Sequence, residues 1–135
     1  MATKVLDSWA LIAFLEDEPA AEGIEKLLQQ AADERHKLLL SAVNWGEVYY
    51  NTMREVSQEA AEEKAHEIAS LPIEVVGVGE DLALVRQAAI FKATHKLSYA
   101  DCFAAALAKL RNAELVTGDP EFQAVEKEIK IAWLR

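Results

Sequence analysis

The segment LVTGDPEF, residues 115–122, joins the end of a strand to the start of a helix. An apolar run ends at Val116, and Thr-Gly-Asp occupies 117–119, with Pro120 next. Asp is favoured at a helix N-cap and Pro at the first helical position, so Asp119 is a good cap. A carboxylate at the end of a strand can equally serve chemistry at a sheet edge. The other strand ends of the chain decide between these two interpretations.

The pattern of this segment, a short apolar run followed by a helix, recurs along the chain. Strands are predicted at 4–6, 38–40, 73–78, 115–116 and 129–134. Helices are predicted at 8–16, within 17–36, at 43–56, from the N-cap Ser57 to about 71, and at 80–95, 99–112 and 120–127. Strands that alternate with helices require right-handed crossovers, which cover both faces of a parallel sheet. We therefore predict one α/β domain over residues 1–135, a three-layer sandwich with a mainly parallel central sheet of about five strands flanked by helices.

The composition is typical of a folded and acidic protein. The 135 residues are 52% hydrophobic and 27% charged, which is a globular profile. With Lys plus Arg at 14 and Asp plus Glu at 23, the formal net charge is −9. Broad electrostatic binding to DNA is disfavoured, because neutralisation of phosphates by basic residues supplies most of that affinity. The acidic residues either form a solvated surface or are partly concentrated at a cation site.

The single cysteine and the distribution of apolar residues bear on location. Cys102 cannot form an internal disulfide, and the alanine-rich run beside it at 103–108 predicts a buried thiol in a tightly packed core. A lone free cysteine is typical of a reducing compartment. The first residues lack the apolar core of a secretory leader, and no apolar stretch approaches the roughly 20 residues that cross a bilayer. We expect a cytoplasmic protein with no membrane partner.

Four acidic residues follow strand ends or lie in the first turns of the helices after them. They are Asp7 after the first strand, Glu47 in the helix after the second strand, Asp101 in the first turn of helix 99–112, and Asp119 after the fourth strand. Ligands of open parallel sheets bind beyond the carboxyl ends of the strands. The topology therefore brings all four carboxylates to one edge, where they could share a pocket.

Each acid also has a purely structural interpretation. Ser98 and Asp101 have the spacing of a capping box, and Asp7 could favour the positive end of the following helix. Glu47 could belong to a solvated stripe with Asn44, Asn51 and Arg54, away from a face formed by Val48, Tyr49, Thr52, Met53 and Val56. The capping explanations are independent of one another, whereas a metal site requires all four acids at the edge where the topology places them.

Clustered carboxylates favour a divalent cation. They repel one another, and one or more stays protonated unless a cation neutralises the group. Hard oxygen ligands suit Mg²⁺ or Mn²⁺, whereas His36, His66 and His95 are scattered and lack the spacing of a zinc site. Two such ions can activate water and stabilise a phosphate during in-line displacement, so an acidic pocket can act on a phosphodiester.

These motifs resemble the PIN-domain family, and within it the VapC-type toxins of bacterial and archaeal toxin–antitoxin pairs. The resemblance covers nearly the full length, and it is carried by Asp7-Ser8, Glu47 in SAVNWGEVYY, Asp101 in LSYADCFAAALA, and Thr117-Gly118-Asp119 with Phe122. It implies a PIN-like fold and a metal-dependent endoribonuclease that cuts RNA, is silenced by a small antitoxin and forms a homodimer.

The resemblance also implies which residues form the site. The implied catalytic and metal-binding acids are Asp7, Glu47, Asp101 and Asp119, and the implied supporting hydroxyls are those of Ser8 and Thr117. Mg²⁺ or Mn²⁺ is the implied cofactor. Trp9 departs from the family pattern, which more often has a small polar residue there, so the shape of the pocket is left open. Asp119 would be both cap and ligand.

Basic residues near the acids are expected to contact RNA phosphates. We expect this role for Arg54, about two turns beyond Glu47, and for Lys92 and Lys96, together with His95, just before the Asp101 helix. The cluster at 35–37 precedes the second strand and is predicted to be a solvated turn at the opposite edge.

Two other functions compete with the nuclease. A non-catalytic PIN-fold binding or regulatory module is the alternative, and a metal titration separates the two. A phosphotransfer domain is disfavoured, because Asp7 stands alone and Trp9 occupies the position of the second Asp that a hydrolase of the aspartyl-phosphate type requires.

Overall fold

The computed structural model describes residues 2–134. Its elements in chain order are β1 (Ala2–Leu6), α1 (Ser8–Leu15), α2 (Ala21–Ala32), β2 (His36–Ser41), α3 (Ala42–Glu55), α4 (Gln58–Ala69), β3 (Glu74–Val76), α5 (Ala83–Thr94), α6 (Tyr99–Leu110), β4 (Glu114–Thr117), a 3₁₀ helix (Pro120–Val125) and β5 (Lys130–Trp133). The five strands form one sheet in the order β3-β2-β1-β4-β5, and every neighbouring pair is parallel. The predicted α/β architecture is confirmed. No helix within residues 2–134 is long and apolar enough to span a membrane.

The central position of β1 determines where a ligand can bind. Leu6, the last residue of β1, pairs with Leu40 of β2 on one side and with Val116 of β4 on the other. The chain leaves β1 toward β2 and β3, and then returns through α5 and α6 to β4. A crevice is therefore expected beyond the carboxyl ends of β1 and β4, where the direction of winding reverses.

Alternating side chains of the strands divide the core into two layers. Val5 and Leu115 belong to the cluster with α5 and α6, whereas Leu6 and Val116 belong to the cluster with α1 and α2. This is the period of two expected for a strand that is covered on both faces. In α6 the buried residues include Cys102 and the alanines of the run 103–108, so this helix lies close to the sheet as predicted. Burial raises the pKa of the Cys102 thiol.

Two local predictions about burial are wrong. Met53 and Val56, which were assigned to the apolar face of α3, are 47% and 71% exposed, whereas Asn44 of the supposed solvated stripe is fully buried. Asn44 and Glu47 make their contacts with α1 and α6, because the start of α3 lies at the sheet edge beside both helices. His36 is not in a solvated turn but is the buried first residue of β2, and its Nε2 lies 3.0 Å from the carbonyl oxygen of Leu27.

Candidate metal-binding site at the carboxyl edge of the sheet

Asp7 is the most buried acid of the site. It is the N-cap of α1, its Oδ1 accepts a hydrogen bond from the backbone N–H of Ala10 at 2.8 Å, and its Oδ2 accepts one from the Thr117 hydroxyl at 2.6 Å. The pKa of Asp7 is raised to about 7, mainly by burial and to a smaller extent by the charges of Asp101 and Asp119, against the lowering effect of the two hydrogen bonds. Both carboxylate oxygens are thus fixed in position.

Asp119 is joined to Asp7 through one threonine. The Thr117 hydroxyl, which donates to Asp7, accepts a hydrogen bond from the backbone N–H of Asp119 at 3.0 Å. Asp119 is also the N-cap of the 3₁₀ helix, and its Oδ1 accepts from the backbone N–H of Glu121 at 3.0 Å. The capping interpretation of Asp119 is therefore confirmed, and the same carboxylate lies beside the other acids.

Asp101 faces most of the other acids of the site. Its carboxylate offers an oxygen that lies within 4.8 Å of single oxygens of Asp119 and Glu121. The pKa of Asp101 is raised to about 6, mainly by burial and also by the charges of Asp119, Glu47 and Glu121, whereas a hydrogen bond with the Ser98 side chain lowers it. The predicted N-cap of α6 is Ser98, whose Oγ accepts from the backbone N–H of Asp101 at 3.1 Å.

Glu47 is linked to α1 and α6 by a chain of hydrogen bonds. The Ser8 hydroxyl donates to Oε1 of Glu47. The side-chain amide of Asn44 in turn donates to Ser8 Oγ at 3.2 Å and to the carbonyl oxygen of Ala100 at 3.0 Å. These bonds hold the first turns of α1, α3 and α6 together.

The sequence prediction missed two residues of this site. Glu121 joins Asp101 and Asp119, and its position two residues after Asp119 in Asp-Pro-Glu, in the first turn of a helix, was the available indication. Asn44 was placed on a solvated stripe, although its spacing of three residues from Glu47 puts both side chains on one helical face.

Trp9 borders the segment between Thr117 and Asp119. A Cβ atom added at Gly118 would lie 2.3 Å from Cη2 of the Trp9 ring and 2.6 Å from its Cζ3. Such approaches are shorter than any real van der Waals contact, so the ring occupies the space that a side chain at 118 would need. The bulky residue that distinguishes position 9 is accommodated by a glycine.

Most of the basic residues expected to contact RNA have other partners in this structure. The Arg54 guanidinium lies 4.9 Å from the centre of the Tyr50 ring, and the Lys92 ammonium donates to the carbonyl oxygen of Leu97 at 2.8 Å. His95 pairs with Glu128 at 2.7 Å, just before β5 begins. Lys96 is exposed. A role for any of them in RNA binding stays a prediction.

The donor set fits a hard divalent cation. The acids present carboxylate oxygens from the N-cap of α1, from α3 and α6, and from the N-cap and first turn of the 3₁₀ helix, with hydroxyl groups beside them. Mg²⁺ and Mn²⁺ prefer such ligands. The raised pKa values of Asp7 and Asp101 indicate that the full negative charge is unfavourable in the protein alone. A cation at this edge would remove that repulsion.

Comparison with known proteins agrees with this architecture. The chain matches the PIN domain over residues 4–128, and it therefore belongs to the PIN domain family. A comparison with curated protein sequences gave no match.

Solved structures with the same fold include several toxin–antitoxin proteins. VapBC2 from Rickettsia felis bound to a promoter DNA fragment is similar with a TM-score of 0.74 and 14% identity, covering 98% of this chain and 99% of that chain. DNA-bound VapBC from Salmonella typhimurium gives 0.71 and 18%, covering 98% of each chain. VapC20 from Mycobacterium tuberculosis, a toxin that cleaves the sarcin–ricin loop, gives 0.69 and 21%, covering 90% of this chain and 94% of that chain. At these identities the likeness establishes the fold.

Proposed function

We propose that this protein is a metal-dependent endoribonuclease and the VapC-type toxin of a type II toxin–antitoxin pair. The observation that carries the proposal is the convergence of Asp7, Glu47, Asp101 and Asp119 at the switch point of a PIN-domain sheet. Mg²⁺ or Mn²⁺ would be held by these four acids, with Glu121 as a further oxygen donor. Membership of the PIN domain family and the VapC fold support this assignment.

The residues of the site would have different roles in phosphodiester hydrolysis. When bound, divalent ions supply positive charge that lowers the pKa of water and neutralises the phosphate. Asp7 contributes oxygens whose directions are fixed by Thr117 and by the backbone of α1. Ser8 fixes Glu47 in the same manner. Asp101 and Asp119, which are only partly buried, lie where substrate and solvent can reach them.

An acidic protein needs further help to hold RNA. Because the net charge is −9, the cations must reverse the local potential before a phosphate can approach. Arg54, Lys92 and Lys96 are proposed to contact phosphates outside the acid cluster. Such contacts require Arg54 to leave the Tyr50 ring and Lys92 to leave the Leu97 carbonyl.

A small antitoxin and a second copy of the chain are the proposed protein partners. The similar structures from Rickettsia felis and Salmonella typhimurium are VapBC proteins, which supports an antitoxin and a homodimer here. An antitoxin arginine could occupy the acidic pocket, since a guanidinium binds carboxylates in a bidentate manner. A cytoplasmic location is proposed on the same basis.

Cleavage of RNA by the purified protein tests the proposed activity. We expect a single-stranded RNA to be cut in Mn²⁺ or Mg²⁺ and to stay intact in EDTA. Asp101→Asn should lower the rate by more than about 100-fold, since residues that only support metal ligands already contribute about 10- to 100-fold in metal affinity or activity. Asp17→Asn, which changes the same charge at an exposed position, is the control.

Three outcomes separate the hypotheses. Cleavage that persists in EDTA, or that Asp101→Asn leaves unchanged, contradicts a metal-dependent nuclease. Binding of Mn²⁺ without cleavage of any RNA favours the non-catalytic binding module. A melting temperature that no divalent ion raises contradicts the metal site itself, because a ligand that binds only the folded state must stabilise it.

A further inference from the structure

We propose that Asn44 is a positioning residue whose side-chain amide fixes Glu47 and Asp101 at the distances required for cation binding. This inference rests on the proposed metal-dependent function. Asn44 is not one of the acidic residues of the site, and the experiment that tests its role measures metal affinity directly.

The contacts of Asn44 reach both acids by separate routes. The residue is fully buried in the first turn of α3. Its Nδ2 donates to Ser8 Oγ at 3.2 Å, and the Ser8 hydroxyl donates to Glu47. The same nitrogen donates at 3.0 Å to the carbonyl oxygen of Ala100, the residue directly before Asp101. One amide nitrogen therefore ties together the three helices α1, α3 and α6.

The other end of the same amide is unsatisfied. Among the buried side-chain nitrogen and oxygen atoms of residues 2–134, Oδ1 of Asn44 lacks a hydrogen-bond partner. Exchanging its oxygen and nitrogen does not help, because the oxygen would then face the Ala100 carbonyl, which can only accept. A buried unpaired acceptor destabilises the folded state, whereas an apolar side chain of similar shape avoids this cost.

The unpaired oxygen of Asn44 thus lowers the stability of the fold, whereas its amide nitrogen fixes the relative positions of the helices that carry the acids. Departures from the best local choice concentrate at functional sites. Cation binding requires oxygens from separate elements to be held at defined distances, and groups that hydrogen-bond to the ligands or their neighbours control this. The amide links α1, α3 and α6 at the level of the acids, where a small displacement of one helix would separate the ligands.

Asn44→Leu separates the two roles, because leucine has a similar size and removes both the donor and the unpaired oxygen. We expect Mn²⁺ affinity, measured by isothermal titration calorimetry, to fall about 10- to 100-fold. The melting temperature of the metal-free variant should change little, because the loss of the hydrogen bonds to Ser8 Oγ and the Ala100 carbonyl is offset by removal of the unpaired oxygen. A merely structural residue would instead lower the melting temperature and leave the affinity of the folded protein unchanged. Asn51→Leu is the matched control, since Asn51 lies partly exposed about two turns further along α3.

A second variant covers failure of the first to fold. Asn44→Ala leaves space rather than bulk, and its Mn²⁺ affinity should fall by the same factor even if its melting temperature drops. Wild-type Mn²⁺ affinity in either folded variant overturns the positioning role and leaves the proposed nuclease intact. A wild-type protein that binds no Mn²⁺ overturns both proposals. Weakened binding in both Asn44 variants, with normal binding in Asn51→Leu, supports the inference.

Discussion

Asp7→Asn removes the most buried negative charge of the site and nearly nothing else. Asparagine has the shape of the protonated carboxyl, so its oxygen can still accept from the Ala10 backbone N–H. The Thr117 hydroxyl, which now donates to Asp7, can rotate and accept from the new amide. The variant therefore isolates the free-energy cost of ionising a carboxyl at this position.

The size and direction of the effect follow from the pKa of Asp7, which burial raises from 3.8 to about 7. Between these two pH values the folded protein binds more protons than the unfolded chain, so the free energy of unfolding falls as pH rises. The loss is complete above pH 7 and amounts to about 4 kcal/mol, since one pKa unit corresponds to about 1.4 kcal/mol. Asp7→Asn escapes this loss. We expect the metal-free variant to be more stable than the wild type by up to about 4 kcal/mol at pH 8.

Urea denaturation in EDTA at pH 8 and at pH 4.5 measures this difference. At pH 4.5 the advantage of the variant should shrink to about 1 kcal/mol, because Asp7 is then largely protonated in the folded wild type. Mn²⁺ at 100 times its Kd should narrow the difference at pH 8 to about 1 kcal/mol, because it stabilises the wild type by about 3 kcal/mol and the variant loses that gain. Asp17→Asn controls for net charge at an exposed site. A metal-free Asp7→Asn protein that is no more stable than the wild type at pH 8 would refute this reasoning.

Two further predictions concern metal binding and packing. Mn²⁺ affinity should rise about tenfold between pH 6 and pH 8, because the raised pKa values of Asp7 and Asp101 make protons compete with the cation below pH 7. Calorimetry should also detect protons released when Mn²⁺ binds. An Mn²⁺ affinity that does not depend on pH would contradict this prediction. Gly118→Ala should lower the free energy of unfolding by about 1–3 kcal/mol in chemical denaturation, because the new methyl group collides with the Trp9 ring. Adding Trp9→Leu should relieve the collision, so strictly additive losses in the double variant would exclude it.

The fold could be predicted because local pattern and topology agree along most of the chain. Apolar runs flanked by helical periodicity located all five strands, and Ser57 and Ser98 cap their helices as expected. The third strand is shorter than predicted, at Glu74–Val76, because the chain beyond it continues without a pairing partner toward α5.

The errors arise where tertiary neighbours decide burial. Periodicity gave α3 one apolar and one polar face, but it could not specify that α1 and α6 would cover the polar one. Asn44 is consequently buried, although it was assigned to solvent. His36 was also assigned to solvent, but it begins β2 and is buried against Leu27 of α2. Glu121 was overlooked because one acidic residue in a first helical turn is common, and only its distance to Asp101 and Asp119 singles it out.

The order of the strands in the sheet explains how acidic residues that are distant in the sequence come to lie close together. Asp7 and Thr117 are 110 positions apart in the sequence, yet they are adjacent because β1 and β4 are neighbours in the sheet. A hydrogen bond from Thr117 to Asp7 thus sets the position of the buried carboxylate, and the backbone N–H of Asp119 donates to the same threonine hydroxyl. The helices add Glu47 and Asp101 through Ser8 and the Ala100 backbone. These bonds orient the acids without neutralising them, so the charge that makes the site suitable for a cation is also what makes the metal-free fold less stable.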